Sequence, residues 1–274
     1  MRSLLAGLII FLAANSHAEK SDNSDRQRDS LLFQQSEGMA YIAIIIDDLG
    51  HNYARGLQAA KLPASLTYAI LPYSTHARRL ANHIHASGKE VIVHLPMENL
   101  GNKPIGPGGL TKSLNRRDFG FAILDAVARV PHAKGINNHM GSALTQQRIP
   151  MEWLMDEIKA LDFFFVDSRT TSLTIASEVA RDKHLLCTSR DVFLDNNPSM
   201  YEIDKQFRRL ITLAKQRGTA VAIGHPHPDT LAYLELAIPK LAAEGIEIIP
   251  ASNLGALQHI YELESVSRTI AQLK

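Results

Sequence analysis

The sequence predicts an α/β fold, a (β/α) barrel of about seven or eight parallel strands. Three observations carry that expectation: strand-length apolar runs recur along the chain, each is followed by a segment with helical spacing, and no sequence break divides the series. Continuous apolar strands separated by amphipathic segments indicate a parallel sheet covered by helices, because such strands are buried on both faces. A doubly wound open sheet is the main rival. No glycine-rich phosphate loop follows the first run, which counts against a nucleotide-binding version of it.

The chain opens with "MRSLLAGLIIFLAANSHAEK": one positive charge at Arg2, an apolar run from Leu4 to Ala14, and small residues at Ser16 and Ala18. This is the layout of a secretory signal peptide over residues 1–18, cleaved after Ala18. The run is shorter than the roughly 20 residues a membrane span needs, so an uncleaved anchor is the lesser reading and no membrane association is expected beyond this segment. Residues 19–38, polar and charged, read as a flexible arm, and residues 39–274 as one domain. The expected location is therefore outside the cytoplasm, periplasmic or extracellular.

Lysines and arginines number 29 and acids 28, and loss of Arg2 with the leader leaves 28 of each. A neutral chain offers no electrostatic reason to propose nucleic acid as partner. The single cysteine, Cys187 in "HLLC", cannot staple the chain internally and reads as a small buried hydrophobe.

In order, the strand candidates are "YIAIII" at 41–46, "SLTYAIL" at 65–71, "KEVIVHL" at 89–95, "KGINNH" at 134–139, "FFFVD" at 163–167, "KHLLC" at 183–187, "TAVAIGH" at 219–225 and "IEIIPAS" at 246–252. "STHARRLANHIHASG" and "MYEIDKQFRRLITLAKQRG" carry helical spacing between them. Residues 96–115, rich in glycine and proline, form the longest irregular stretch and read as a lid or wall over the end of the third strand.

Polar residues close these apolar runs: Asp47 and Asp48, His94, Asn138 and His139, Asp167, and His225. In a parallel barrel all C-terminal strand ends share one face, so residues distant in sequence converge there without a local motif. A metal or acid/base site is what such a set can make. Each member also has a simpler reading: Asp48, Asp167 and Asp195 as helix caps, a strand-end histidine as a satisfied structural group. His76, His83, His85, His132 and His184 fall off this face, whereas His51 and His227 sit close enough in sequence to reach it. Adjacent Asp47 and Asp48 repel and lose hydration if enclosed, a cost that a cation or a proton removes. Successive strand residues face opposite sides, so both carboxylates reach one site only if the strand ends between them, and Gly50 permits such a bend.

Five ordered motifs, "IIIDDLG", "GKEVIVHLPME", "KGINNHMGSALT", "FFFVDSRTTS" and "AIGHPHP", resemble those of the divergent polysaccharide deacetylases, relatives of the NodB-type carbohydrate esterases, across residues 41–255. The resemblance implies a NodB-like barrel, a metal-dependent deacetylase activity on a polysaccharide or peptidoglycan-like glycan, Asp47 as catalytic base, Asp48 and His94 as metal ligands, and His225 as catalytic acid. His139, in the "NNHMGS" segment with Asn138, is the best remaining ligand. Two departures accompany it: Leu49-Gly50 stands where Gly-Pro is typical, and Glu98 stands where a second histidine is typical. Either His139 takes the place of that ligand from another strand, or Glu98 supplies an oxygen, or the site binds metal weakly. Two imidazoles and a carboxylate suit a divalent metal, zinc first, with a position open for water. The alternative expectation is a non-catalytic glycan- or partner-binding protein that retains the face of an esterase.

Overall fold

Nine strands, all parallel, form one sheet in the computed structural model, which describes residues 38–272. The leader and all but the last residue of the arm lie outside the described residues. The strands are β1 (Ala40–Leu49), β2 (Thr67–Ile70), β3 (Glu90–Met97), β4 (Ala133–Met140), β5 (Phe164–Asp167), β6 (Cys187–Ser189), β7 (Val192–Phe193), β8 (Thr219–Gly224) and β9 (Ile246–Ile248). They run in the order β6-β5-β4-β3-β2-β1-β8-β7, and β9 pairs with the start of β1. Between them lie α1 (Tyr53–Ala60), α2 (Ala77–Ala86), α3 (Arg116–Arg129), α4 (Arg148–Ala160), α5 (Ala176–Asp182), α6 (Met200–Arg217) and α7 (Pro228–Ala237), with α8 (Ala251–Gln272) last.

Only Arg190 and Asp191 separate β6 from β7, the two ends of that order. Their backbone spans the gap: the Arg190 N–H donates to Asp167 O on β5, and the Asp191 N–H donates to Val221 O on β8. One extended segment thus pairs first with one edge of the sheet and then with the other, which curls the sheet toward a barrel.

Alternation along the strands separates two apolar layers, as the two-residue period requires. Ile42, Ile44 and Ile46 of β1 join Tyr68, Val91, Val93 and Phe165 in the layer beneath the helices. Ala43 and Ile45 instead join Ala69, Ile92, Val166, Val221 and Ile223 in an inner layer, together with Ala251 and Leu254 from the start of α8. All of these are fully or almost fully buried, and each large aliphatic side chain so enclosed contributes about 1.5–3 kcal/mol. At the N-terminal end of the strands, buried Glu90 accepts from the Thr67 hydroxyl (2.8 Å) and the Ser252 N–H (3.2 Å). A carboxylate at the start of α8 also suits that helix's dipole.

α6 shows why the helices fall where they do. Ser199 accepts from the Glu202 N–H, Ile203, Phe207, Leu210 and Ala214 make one buried face, and Gly218 at φ 82° ends the helix in a left-handed turn. The expected strand at 183–187 is corrected: Ala176–Asp182 is helical, the chain then turns, and β6 begins only at Cys187. The run at 246–252 is likewise shorter than expected, because Ala251 already belongs to α8.

Candidate metal centre

The inner parity of each strand carries through to its C-terminal end. After Ala43 and Ile45 comes Asp47; after Ile92 comes His94; beyond Val221 and Ile223 comes His225. Asp48 breaks the alternation. The β1–β2 register slips between Ile46 and Leu49, and Asp48 adopts φ 56°, a left-handed conformation that aspartate tolerates better than most residues. A bulge therefore turns both carboxylates to one side: Asp47 Oδ2 lies 3.6 Å and Asp48 Oδ1 3.2 Å from His94 Nε2. The strand does not end between them; it kinks at the second one.

Gly50 sets the turn that leaves the bulge. Its φ is 115°, and a Cβ added there would stand 1.8 Å from Ser74 Oγ.

Asp48, His94 and His139 form a tight triangle. Asp48 Oδ1 lies 3.0 Å from His139 Nδ1, and that nitrogen lies 3.0 Å from His94 Nε2. Buried Asp48 Oδ1 nevertheless makes no hydrogen bond. Three ligand atoms, two imidazole nitrogens and a carboxylate oxygen, thus crowd together with one buried oxygen orphaned. That donor set and that orphan fit a divalent cation. Burial alone would raise the Asp48 pKa, but His139 and His94 outweigh it and hold the carboxyl far below its usual range.

Asn137, which the sequence reading passed over, is the group behind this triangle. Fully buried, it accepts from His94 Nδ1 at 2.7 Å through Oδ1, and its Nδ2 donates to Asp47 Oδ1 at 2.8 Å. The amide therefore occupies His94 Nδ1 and Asp47 Oδ1, which leaves His94 Nε2 to face His139 and Asp48, and Asp47 Oδ2 outside the amide's hold. Burial raises the Asp47 pKa, against the pull of His94 and His225.

His225 closes the site from β8, its Nε2 3.8 Å from Asp48 Oδ2. Asp195 holds it twice, through the backbone N–H (2.6 Å) and through Nδ1 (2.9 Å), while Thr230 donates to the same carboxylate. Burial opposes charge on His225, but the Asp195 contact prevails and moves its pKa up to about 9. Read from the sequence only as a possible cap, Asp195 sits at the end of β7, a strand of two residues whose run was too short to notice.

The remaining candidates stand outside the triangle, although Asn138 lines the same cleft. Asp167 faces away from the cleft; it accepts from the Arg169 N–H (2.9 Å) and the Thr174 hydroxyl (3.0 Å), shaping the loop after β5. Asn138 braces two turns, accepting from the Ser168 N–H at 2.8 Å and donating to Met140 O at 2.7 Å. Glu98 accepts from the Lys112 N–H at 2.8 Å and pairs with its ammonium at 3.4 Å, within the wall that residues 98–115 build. None of the three belongs to the ligand triangle. His51 is exposed, whereas His227 comes close to Asp195 and His225. The cleft above these groups, about 400 Å³, is lined also by Asn99, Lys103 and Phe193.

The curled parallel sheet gathers two carboxylates and three histidines at its C-terminal edge, and the sequence places the chain among the polysaccharide deacetylases. Within that class the chain belongs to the divergent polysaccharide deacetylase family, whose model matches residues 44–255. It is 37% identical over 213 residues to YibQ of Escherichia coli K12, an uncharacterized protein, covering 78% of this chain and 66% of that one. Among solved structures, an uncharacterized protein of Agrobacterium tumefaciens C58 superposes with a TM-score of 0.76 at 20% identity, over 79% of this chain and 89% of the other. A mutant of the peptidoglycan deacetylase PdaC of Bacillus subtilis superposes with a TM-score of 0.52 at 14% identity, over 84% and 97% of the two chains.

Proposed function

We propose that the protein is an exported, metal-dependent hydrolase that removes acyl groups, acetyl foremost, from an envelope polysaccharide. The observation that carries this reading is the orphaned Asp48 Oδ1, buried between two imidazole nitrogens at 3.0 and 3.2 Å. Asp48, His94 and His139 would hold the ion, zinc first. When bound, such an ion supplies Lewis acidity: it polarises an acyl oxygen and makes a water acidic enough to lose its proton near neutral pH.

The chain's own groups do the rest. Asp47, with Oδ1 held by Asn137, presents Oδ2 to the cleft as proton acceptor, and its burial-raised pKa makes it a stronger base than a solvated carboxylate. His225, kept protonated by Asp195, delivers a proton to the departing amine or alcohol. Asn137 orients two members of the set at once. The glycan substrate is supported by family membership, and the location by the leader-like residues 1–18.

Acetate release from a panel of acetylated glycans at saturating zinc tests the proposal. Asp47→Asn and His225→Ala should retain zinc and glycan affinity while lowering turnover by about 10²-fold or more. Binding without acetate release in the wild type, unchanged by either substitution, would replace the hydrolase reading with that of a glycan-binding protein.

A further inference from the structure

The loop after β5 separates two hollows. Its Thr170 lines the metal cleft on one side and a second hollow of about 490 Å³ on the other. Arg169, Arg190, Arg209 and Arg217 line that second hollow, against one acid, Asp191. Asp191 is already engaged: one oxygen faces Arg217 at 3.2 Å and the other accepts from the Val221 N–H at 2.9 Å. Arg190 is structural, donating to Ser168 O and Arg169 O, both at 2.7 Å, with its guanidinium 3.9 Å from the centre of the Phe193 ring. Arg169 and Arg209 remain. Both are exposed, and among the described residues neither guanidinium donates a hydrogen bond or forms an ion pair.

Gathering four guanidinium groups around one hollow, in a chain whose net charge is only +1, costs electrostatic energy unless an anion offsets it. The strain registers on Arg190, whose pKa is moved down to about 10, first by burial and next by the charge of Arg169. Guanidinium forks match phosphate and carboxylate oxygens in bidentate fashion. The wall shared at Thr170 makes this hollow the neighbour of the cleft, an adjacency that one chain occupying both would use and that a lipid headgroup or a free anion would not.

We propose that the arginine-lined hollow is a subsite for an oxyanion, phosphoryl or carboxylate, carried by the same glycan whose acyl group enters the metal cleft. The substrate class is then an anionic polysaccharide. The inference rests on the hydrolase reading for events in the cleft, but binding at the arginines needs no turnover.

Calorimetric titration of the zinc-loaded protein tests it, with acetate release read separately. The probes are a neutral chito-oligosaccharide, its phosphorylated form, a heparosan oligosaccharide bearing carboxylates, inorganic phosphate, and phosphatidylglycerol vesicles. At low salt, at least one anionic glycan should bind about 10-fold more tightly than the neutral one, the scale of one or two charge-assisted hydrogen bonds. Arg169→Gln/Arg209→Gln should abolish that preference while leaving neutral-glycan binding and zinc content unchanged, and Arg209→Glu alone should reverse it. Equal affinity for neutral and anionic glycans, or a preference that survives the double substitution, overturns the proposal. So does inorganic phosphate binding as tightly as the anionic glycan, or arginine-dependent vesicle binding without glycan preference. A preference without acetate release removes the hydrolase reading and keeps the subsite; acetate release without preference does the reverse.

Discussion

His94 on β3 and Asn137 on β4 are register partners across the ladder, and their side chains meet at 2.7 Å. The contact fixes an imidazole that has little room to turn, because His94 is only 2% exposed. Through its other end the same amide reaches Asp47. One residue therefore couples the orientation of a metal ligand to that of the proton acceptor.

Asn137→Ala should weaken zinc binding by about 10- to 100-fold, the usual cost of losing the group behind a histidine ligand. It should also lower turnover at saturating zinc, because Asp47 loses the donor that directs Oδ2 to the cleft. A competition titration with a chromophoric chelator measures the first effect and acetate release the second. Unchanged zinc affinity in a folded variant would show that His94 is held by packing alone.

Removing a ligand should act differently from removing its support. His139→Ala and Asp48→Ala should lose stoichiometric metal, whereas Glu98→Gln should retain it, since Glu98 is committed to Lys112. Elemental analysis after gel filtration decides between them. Loss of metal in Glu98→Gln would mean that the wall moves to bring an oxygen ligand in.

The pair of Asp195 and His225 should leave a signature in the stability of the metal-free protein. Asp195 has a depressed pKa, because contacts with His225 exceed the burial effect, so its contribution is present above about pH 3.9 and fades as pH falls below it. His225, raised to about 9, contributes fully below about pH 6.5 and loses that contribution as pH rises through 9. The difference in unfolding free energy between wild type and His225→Gln should therefore be largest between about pH 4 and 6.5 and shrink by roughly 1–3 kcal/mol toward pH 10. Urea midpoints across that range measure it. A difference independent of pH would mean that the imidazole is not charged in the fold.

Strand-end chemistry was legible because a parallel sheet converts sequence into position: an apolar run that stops at a polar residue delivers it to the C-terminal face. Asp47, Asp48, His94, His139 and His225 obey that rule, and the structure gathers them. Asp167 and Asn138 obey the run but not the parity; each is one residue out of phase with the inner layer, as Phe164, Val166 and Asn137 reveal only once the register is known. Asn137 itself looked like part of the strand. Asp195 escaped because two residues of β7 make no recognisable run, and the edge they occupy exists only after the sheet has curled.

The same dependence of chemistry on backbone gives a last expectation at Gly50. The bulge that turns Asp48 inward ends at this residue, whose φ of 115° suits glycine and whose carbonyl accepts from the His76 N–H at the start of α2. An alanine there would meet Ser74 Oγ at 1.8 Å, and Ser74 is held by its own bond to Leu71 O at 2.6 Å. Gly50→Ala should thus lose stability twice, by about 1–3 kcal/mol for the strained backbone and by a similar amount for the clash. Because Asp48 lies two residues away, the strain should also spread to the ligand triangle and weaken zinc binding. Adding Ser74→Ala removes the larger part of the clash, the hydroxyl 1.8 Å from the new methyl, and leaves both the Ser74 Cβ at 2.9 Å and the backbone where alanine is disfavoured. The double variant should recover part of the urea midpoint and little of the zinc affinity. Full recovery of both would mean that steric contact, rather than the glycine conformation, sets the bulge that brings Asp48 to His94.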